Sequence, residues 1–578
     1  MHTLGINAAF HDCSAALVRD GVVLAAAEEE RFTRIKHGKR PVPFTTWQLP
    51  YHAIDYCLQE AGLALRDVDR IVYAFDPTLL DVPGVEDGMI TLPVEPSGAR
   101  RAPHEGSPWD PLFLSYIVNA PRQLLDGAPH HLRKRFTGLT LDHILQRWQY
   151  VDHHLAHEAS AFLASPYEEC AVLTMDGRGE AATSSYGHFT AGGYERVRQI
   201  SLPHSLGLLY EEVTDYLGFL RSSDEYKVMA LASYGEPAYR AEFREIVRLD
   251  EEGGYSLAPS RLVERFGPAR ERGAAFEKRH QDIARSLQYV LEETALHMAR
   301  WLHRRTGSPR LCMAGGVALN CVMNARIARD GPFDEVWVQP AAGDAGTALG
   351  AALYADYTAR GGQRNWRMDH AYLGPGYDDD AIETFLLMSR VPYRRLDDVA
   401  QAAAELLAQD RILGWFQGRM EFGPRALGAR SIIASPIDVN MQARLNALKD
   451  REDFRPVAPA VMEERAPQWF DAQGKNGICA PFMLFVFDVL PDRADRIPAV
   501  RHTDGTARVQ TVRRDQNARY YDTLAAFERL TGVPVLVNTS FNTRGEPVVC
   551  TPRDALESFW TSPLDALVIG SFLVEKPR

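Results

Sequence analysis

Two stretches of this chain repeat the same order of apolar strands and polar loops, which restricts the fold more than any other feature. In each stretch an apolar strand leads through a polar loop into a second strand, and a third strand follows after a turn. The strands lie at residues 3–8, 14–18 and 22–27, and again at 170–175, at 181–189 and after 193. The repetition predicts an internal duplication of two βββαβα halves. Paired halves of this kind hold a nucleotide between them, with each first loop facing the phosphates.

Chain length indicates more than one domain, because 578 residues are too many for a single hydrophobic core. The best candidate for a linker ends at residue 365 and contains Arg-Gly-Gly-Gln-Arg at 360–364. It predicts one domain at 1–358 and a second at 366–578. The stretch at 77–110 is rich in proline and glycine and is expected to form a surface excursion.

Composition argues against several classes of protein. The seven cysteines are scattered without a Cys-x-x-Cys pair, which indicates reduced thiols and not a disulfide framework or zinc ribbon. We find no signal peptide and no apolar run of membrane-spanning length, so we expect a cytoplasmic protein that does not bind a membrane. A net charge of −12, from 64 basic and 76 acidic residues, argues against a nucleic acid partner but is compatible with a local pocket for a small phosphate.

A histidine pair and a nearby aspartate can offer ligands to a metal ion. His153 and His157 lie on a predicted helix after an apolar strand, and residues four apart share one face of a helix. Asp176 directly follows the apolar strand at 170–175, where its carboxylate can complete the ligand set. The alternative is that the histidines cap the helix or satisfy backbone groups.

Two further strands end in polar or glycine-rich turns. Gly315-Gly316 lies between a strand at 311–314 and a helix, where backbone N–H groups can approach a ligand, although a tight turn would use the same residues. Asp344 follows the strand at 336–338 at another strand-to-helix junction. It is placed either to cap the helix or to act as a fourth metal ligand.

Arginines beside glycines recur in loops of the second predicted domain. Guanidinium groups and exposed backbone amides in an acidic protein indicate an anion pocket, with solvated surface arginines as the alternative. The basic and polar residues concerned are Arg419, Arg425, Arg430, Lys449, Arg451, Arg455, Arg508 and Ser540.

A series of short motifs runs through both predicted domains in a fixed order. They are His11-Asp12-Cys13-Ser14-Ala15-Ala16-Leu17, Glu28-Glu29-Glu30-Arg31-Phe32-Thr33-Arg34, the element at 153–157, Asp176-Gly177, Gly315-Gly316-Val317, Asp344, Gly423-Pro424-Arg425-Ala426-Leu427-Gly428, Lys449-Asp450-Arg451, Arg455-Pro456 and Asn538-Thr539-Ser540-Phe541-Asn542. Together they resemble the NodU/CmcH family of O-carbamoyltransferases over nearly the whole chain.

The resemblance implies an α/β protein with an actin-like ATPase (TsaD-like) N-terminal domain and a smaller YrdC-like C-terminal domain. In such an enzyme, carbamoyl phosphate and ATP form carbamoyladenylate with release of pyrophosphate in the C-terminal domain. A substrate hydroxyl then attacks the carbamoyl group beside a metal in the N-terminal domain. The acceptor would be a small-molecule natural product, as in antibiotic tailoring, and the protein a monomer or homodimer.

The resemblance also implies roles for individual residues. The metal ligands would be His153, His157, Asp176 and Asp344. The nucleotide would contact Gly177, Gly179, Gly315, Gly316 and Asn320. Carbamoyl phosphate would contact Arg425, Lys449, Arg455, Arg508 and Ser540, with Arg419 and Arg544 as further candidates. Iron(II) is the metal implied by the family, and two imidazoles with two carboxylates suit iron(II), manganese or zinc better than the magnesium that accompanies ATP.

The acceptor hydroxyl needs a base, and His11 is the candidate because its usual pKa lies near neutrality. The alternative is that His11 only hydrogen-bonds a phosphate or the loop backbone. Lys36 matches a lysine of the family that can neutralise phosphate charge. Asp12 is either a further catalytic residue beside these two or a residue that stabilises the turn.

Two other functions compete with this interpretation. A tRNA threonylcarbamoyladenosine synthase-type transferase shares the metal and nucleotide domain, but the acidic balance and the fused second domain argue against it. A non-enzymatic actin-like scaffold would need neither the histidine site nor a second anion-binding domain.

Overall fold

The computed structural model describes residues 1–38, 48–79, 123–472, 479–543 and 545–576. Most of the predicted surface excursion at 77–110, and Arg544, lie outside these described residues.

Two five-stranded sheets with the same topology form the N-terminal part of the chain. The first has the order β3-β2-β1-β4-β5 and the second β12-β11-β6-β7-β8. In the first sheet, β1 pairs antiparallel with β2 and parallel with β4. In the second sheet, β6 likewise pairs antiparallel with β7 and parallel with β11. The strands are β1 His2–Asn7, β2 Ser14–Arg19, β3 Val22–Glu28, β4 Arg70–Tyr73, β5 Trp148–Tyr150, β6 Cys170–Met175, β7 Ala182–Thr190, β8 Gly193–Ser201, β11 Arg310–Ala314 and β12 Glu335–Val338, with β9 Val247–Leu249 and β10 Tyr255–Leu257 as a separate pair. The predicted duplication of this half is confirmed.

Helices cover the two sheets and meet between them. They are α1 Glu30–Thr33, α2 Tyr51–Glu60, α3 Ala128–Arg135, α4 Leu141–Leu145, α5 His153–Phe162, α6 Leu206–Tyr216, α7 Glu225–Ala232, α8 Arg240–Ile246, α9 Leu262–Phe266, α10 Lys278–Thr306, α11 Cys321–Asp330 and α12 Ala345–Ala359. Helices α5 and α12 cross in backbone contact, because a Cβ on Gly350 would lie 1.8 Å from the carbonyl oxygen of Ala156. This crossing brings the start of α12 close to the histidines of α5.

The C-terminal part is a second α/β unit built on a mixed eight-stranded sheet. Its order is β13-β23-β22-β14-β15-β21-β16-β20, and β17, β18 and β19 form a small separate sheet. The strands are β13 Arg394–Arg395, β14 Leu413–Phe416, β15 Arg430–Ala434, β16 Ala458–Met462, β17 Phe470–Asp471, β18 Val486–Val489, β19 Thr506–Arg508, β20 Gln510–Val512, β21 Val535–Ser540, β22 Ala566–Ile569 and β23 Phe572–Glu575. The helices are α13 Asp379–Met388, α14 Val399–Leu407, α15 Met441–Leu448, α16 Ala518–Thr531 and α17 Pro552–Thr561. The predicted α/β class is thus confirmed for both parts, whereas the domain boundary at 358–365 stays a prediction.

A buried ion pair joins the two parts. Arg31 in α1 bonds to the carboxylate of Glu28, with 3.0 Å between Nη2 and Oε1, and the same Nη2 donates to the carbonyl of Gly423 at 2.9 Å. The amide of Gly423 donates back to Glu28 Oε1 at 2.8 Å. We call this arrangement the Arg31 clamp. It holds the Gly423-Pro424-Arg425 loop against the N-terminal half.

Among the residues described, no helix is both long enough and apolar enough to cross a bilayer.

Candidate metal centre and anion site in a shared cavity

One cavity of about 480 Å³ lies between the two parts of the chain and is lined by both. The N-terminal half contributes its first loop at His11-Asp12, the carboxylates of Asp176 and Asp344, and the turn at Gly316. The C-terminal part contributes several arginines and the end of β21. The cavity therefore borders the first loops of both N-terminal halves, at His11-Asp12 and at Asp176-Gly177, as well as the C-terminal part.

Four side chains meet at the inner end of the cavity. His153 and His157 lie one turn apart on α5, Asp176 follows β6, and Asp344 precedes α12. The Nε2 atoms of both histidines lie 3.6 Å from Asp344 Oδ1, and 3.7 and 3.9 Å from Asp176 Oδ2. All four residues are buried, and their ligand atoms lie within 4.8 Å of one another.

Neighbouring groups orient these donors toward one point. The Nδ1 of His153 lies 3.2 Å from the carbonyl of Ala74, so a proton on Nδ1 leaves the Nε2 lone pair facing the carboxylates. Asp176 Oδ1 accepts a 2.7 Å bond from the amide of Gly316, which leaves Oδ2 facing the cluster. Within the described part of the chain, both Nε2 atoms are buried without a hydrogen-bond partner. Buried imidazole nitrogens are normally satisfied, so this arrangement fits a metal ion.

The capping alternatives do not hold for these residues. The cap of α5 is Asp152, whose side chain accepts from the amide of Leu155. Asp344 stands at the cap position of α12, yet its carboxylate makes no capping bond to a described residue. Both observations favour metal ligation.

The charge of the cluster is suited to a cation. Burial alone would raise the pKa of Asp176 and of Asp344, but the neighbouring imidazoles outweigh it and lower both values. Burial lowers the pKa of His153, whereas the two carboxylates raise it above its ordinary value by a larger amount. Both carboxylates are therefore ionised at neutral pH, and His153 carries a compensating proton unless a metal ion displaces it.

The first loop lies on the cavity wall next to this cluster. Asp12 bonds to two imidazoles, with 3.0 Å between Oδ2 and His11 Nδ1 and 2.7 Å between Oδ1 and His37 Nδ1. Burial lowers the pKa of His11, but the carboxylates of Asp344 and Asp12 outweigh it and raise the value to about 10. Lys36 also lines the cavity and donates to Ser223 Oγ at 3.2 Å.

The predicted nucleotide residues divide into two groups. Gly177, Gly316 and Asn320 line the cavity, although the Asn320 side chain is engaged in capping α11 and in bonds to Gln288. Neither Gly179 nor Gly315 is among the described residues that line the cavity. A Cβ on Gly179 would lie 2.9 Å from the ring of His154, so this glycine makes room for α5.

Most of the predicted anion residues surround the other end of the cavity. Arg425, Arg455, Arg508 and Ser540 line it, and Lys449 lies buried behind them with a 2.7 Å bond to Asn542 Oδ1. Burial and the neighbouring Arg508 lower the pKa of Arg425 to about 9, as expected for cations held together without a counter-ion. The buried Nε atoms of Arg425 and Arg508 have no partner among the described residues. These donors fit a bound phosphate.

Arg419 is not part of this group. Its guanidinium donates to the backbone carbonyls of Leu24, Leu373 and Gly374 and to the hydroxyl of Tyr56. The expectation that Arg419 binds the anion was wrong, because its donors are already used to join the two parts of the chain.

Two cavity residues lie outside the predicted carbamoyl-phosphate set. Arg451 reaches the cavity from the Lys449-Asp450-Arg451 motif, and burial with Arg455 and Arg508 lowers its pKa to about 9. His502 lines the same region, where burial lowers its pKa to about 4. The motif was a usable signal for Arg451, but the loop around His502 carries no pattern that predicts its place.

Comparison with known proteins identifies the family of both parts of the chain. Residues 2–82 and 131–353 match the family described as carbamoyltransferase N-terminus, and residues 404–576 match carbamoyltransferase C-terminus. The chain belongs to the carbamoyltransferase family, and it is an enzyme of that class. The scaffold and tRNA-modifying alternatives are not favoured.

Individual relatives cover nearly the whole chain. The nodulation protein NolNO of Sinorhizobium fredii is 40% identical over 99% of this chain and 80% of its own length. An uncharacterized protein of Synechocystis sp. is 39% identical over 100% of this chain and 97% of its own. Among solved structures, the activator of 2-hydroxyisocaproyl-CoA dehydratase from Clostridium difficile matches with 14% identity and a TM-score of 0.32, over 64% of this chain and 100% of that one.

Proposed function

We propose that this chain is an ATP-dependent O-carbamoyltransferase that joins carbamoyl phosphate and ATP into carbamoyladenylate and transfers the carbamoyl group to a hydroxyl of a small-molecule natural product. The observation that carries the proposal is that a cationic site and a metal-ligand cluster open into one cavity, from opposite parts of the chain. An arginine group suits a phosphorylated donor, and a carboxylate–histidine cluster suits a cation that stabilises a leaving phosphate.

In this proposal the C-terminal residues bind and orient the donor. Arg425, Arg455 and Arg508 hold the phosphate of carbamoyl phosphate, and Ser540 adds a hydroxyl at the end of β21. Lys449 stays behind them and fixes the β21 end through its bonds to Ser540 and Asn542. Proximity of carbamoyl phosphate to ATP, supplied as its magnesium complex, is the main contribution of this half to the rate.

The N-terminal residues would hold the departing nucleotide. His153, His157, Asp176 and Asp344 would bind a divalent ion, with iron(II) favoured by the family resemblance and manganese or zinc as substitutes. When bound, such an ion neutralises charge that develops on AMP as it leaves. The turn at Gly316 and the Gly177 backbone line the cavity beside this cluster, where they can approach the nucleotide.

The remaining features of the proposal concern surroundings and partners. All seven cysteines are described, and none of them forms a disulfide, which supports a cytoplasmic location. The protein would act as a monomer or homodimer on carbamoyl phosphate, ATP and a hydroxyl-bearing acceptor.

The test follows pyrophosphate and carbamoyladenylate by mass spectrometry after mixing iron(II)-reconstituted protein with ATP and carbamoyl phosphate. We expect both products in the wild type and neither in Arg455→Ala. Arg514→Ala is the matched control, since Arg514 is exposed and paired with Asp522 away from the cavity. Pyrophosphate release that does not depend on carbamoyl phosphate, or full activity of Arg455→Ala, would contradict the proposal.

A further inference from the structure

A hydrogen-bonded chain of three side chains crosses the cavity wall. Asp12 in the first loop lies 2.7 Å from Nδ1 of His37, and Nε2 of His37 lies 2.9 Å from Oγ of Ser223. The three residues come from the first loop, the turn after α1 and the loop before α7, and all three line the cavity. A carboxylate, an imidazole and a hydroxyl in this order are the elements of base-activated attack by an alcohol.

The partners determine where the protons lie. Asp12 is ionised, because the bonds and charges of His37 and His11 outweigh burial and lower its pKa well below the usual value. A carboxylate only accepts, so the Nδ1 of His37 carries a proton, and in the neutral ring Nε2 is the acceptor. Ser223 Oγ also lies 3.2 Å from the Lys36 ammonium, which can only donate. Ser223 therefore accepts from Lys36 and donates its own proton to His37.

The backbone holds this arrangement in an unusual conformation. Asp12, His37 and Ser222 all have positive φ angles, of 49°, 66° and 56°. The side-chain amide of Asn7 donates to the carbonyls of His11 and Asp12 and ties the first loop in place. Strained positions of this kind persist where the surrounding structure forces them, and they concentrate at functional sites.

We propose that His37, oriented by Asp12, is the general base for the acceptor alcohol, and that Ser223 Oγ marks the position of the acceptor oxygen. This inference rests on the proposed function. In the protein without an acceptor, Ser223 occupies the hydrogen-bonding position on Nε2, and an entering alcohol takes its place. Lys36, which donates to the same position, orients the acceptor oxygen.

The chemical step balances without a further reactant. The acceptor O–H gives its proton to His37 Nε2, and the oxygen forms a bond to the carbamoyl carbon of carbamoyladenylate. The bond between that carbon and the phosphate oxygen of AMP breaks, and AMP leaves with the electron pair. Asp12 stabilises the doubly protonated imidazole until the proton passes to water.

His11 differs from His37 although both bond to Asp12. The Nε2 of His37 lies 2.9 Å from Ser223 Oγ, whereas the side-chain bond of His11 joins its Nδ1 to Asp12 Oδ2 at 3.0 Å. The geometry thus gives the two imidazoles separate roles, with His11 on the side of Asp344 and His37 on the side of Ser223.

The test compares oxygen and nitrogen nucleophiles in single turnovers of the iron(II)-reconstituted full chain. Carbamoyladenylate is formed in place, and AMP release is followed with water and ethanol as the oxygen nucleophiles or with added hydroxylamine. Hydroxylamine attacks through a neutral nitrogen that need not first lose a proton. In His37→Gln we expect AMP release with water and ethanol to fall by about 10²-fold or more. Pyrophosphate release and the hydroxylamine reaction should remain.

The control is His52→Gln, because His52 also pairs with a carboxylate at 2.7 Å but lies outside the cavity-lining residues. Equal AMP release in His37→Gln and wild type, including the case in which neither exceeds spontaneous hydrolysis, would overturn the inference. Loss of the hydroxylamine reaction together with the reactions of water and ethanol would also overturn the inference, because His37 would then only maintain the structure. Absence of carbamoyladenylate from the wild type would instead refute the proposed function.

A second measurement separates a base from a nucleophile. Because the acceptor, and not Ser223, attacks the carbamoyl carbon, mass spectrometry of the wild-type protein during turnover should show no carbamoyl group on Ser223. A carbamoylated Ser223 would show that this serine itself is the nucleophile and would overturn the assignment.

Discussion

The Arg31 clamp should be a major determinant of how firmly the two parts of the chain are held together. The side chains of Arg31 and Glu28 are 4% and 6% exposed, so both charges are almost fully removed from water. Replacing Arg31 by Met leaves the Glu28 carboxylate buried with the Gly423 amide as its remaining strong bond. Removing one partner of a buried pair costs about 3–5 kcal/mol, and we expect Arg31→Met to lose stability in that range at pH 7.5.

The pH dependence of this loss provides a second check. Burial already raises the pKa of Glu28, and Arg31 opposes that rise. In Arg31→Met the carboxyl takes up a proton more readily, so the variant regains stability as the pH falls toward 5. Relative to wild type, the free energy of unfolding of the variant rises by at most about 1.4 kcal/mol for each pH unit in which Glu28 is protonated in the folded variant but ionised in its unfolded chain and in the folded wild type.

Urea unfolding followed by circular dichroism at pH 7.5 and pH 5.5 measures both effects. The double variant Arg31→Met with Glu28→Gln is the matched control, because the amide oxygen of glutamine can still accept from Gly423 without a buried charge. It should recover most of the lost stability. A loss below about 1 kcal/mol in the single variant, or a loss that is the same at both pH values, would refute the argument from buried charge.

Three further predictions concern the cavity and the glycine turn beside it. Gly315→Ala should cost about 1–3 kcal/mol in urea unfolding, since φ is +90° and the new Cβ would lie 2.1 Å from the Met175 carbonyl. Gly307→Ala, at φ +68° with open space around it, is its control, and an equal cost for both would contradict the steric argument. Added iron(II) or zinc at 100 times its Kd should stabilise the wild type by about 2.7 kcal/mol, and Asp176→Asn should lose this gain together with bound metal. Unchanged metal content in that variant would exclude Asp176 as a ligand. Arg451→Ala should weaken carbamoyl phosphate binding by about 10- to 100-fold in titration calorimetry, the value of a bond to a charged group, and unchanged affinity would place the anion elsewhere.

The repeating strand pattern was sufficient to predict the N-terminal fold. Alternating apolar strands and polar loops leave few ways to bury the strands, and the two sheets have the topology that this pattern predicts. The histidine pair could also be predicted, because a spacing of four residues places two side chains on one face of a helix wherever that helix lies. The fold then brings Asp176 and Asp344 to the same point from the ends of β6 and β12.

Contacts between distant loops could not be predicted from the sequence. The bond of His37 to Ser223 joins residues that are 186 positions apart, and both lie in segments without apolar periodicity. Arg419 shows the opposite error, since a basic residue next to glycine is typical of both an anion site and a bond to backbone carbonyls. Of the carbonyls that decide between these two uses, the one of Leu24 belongs to the N-terminal part, and those of Leu373 and Gly374 lie 46 and 45 positions before Arg419.

The size of the shared cavity has a consequence for the order of events during turnover. A cavity of about 480 Å³ is the size of a site for one drug-sized ligand, and in the proposed reaction it must take ATP with carbamoyl phosphate and afterwards the adenylate with its acceptor. Pyrophosphate must then leave before a bulky acceptor enters, and AMP must leave before the next ATP binds. Steady-state kinetics should accordingly show ordered release of the first product, and high concentrations of acceptor should compete with ATP for the empty enzyme.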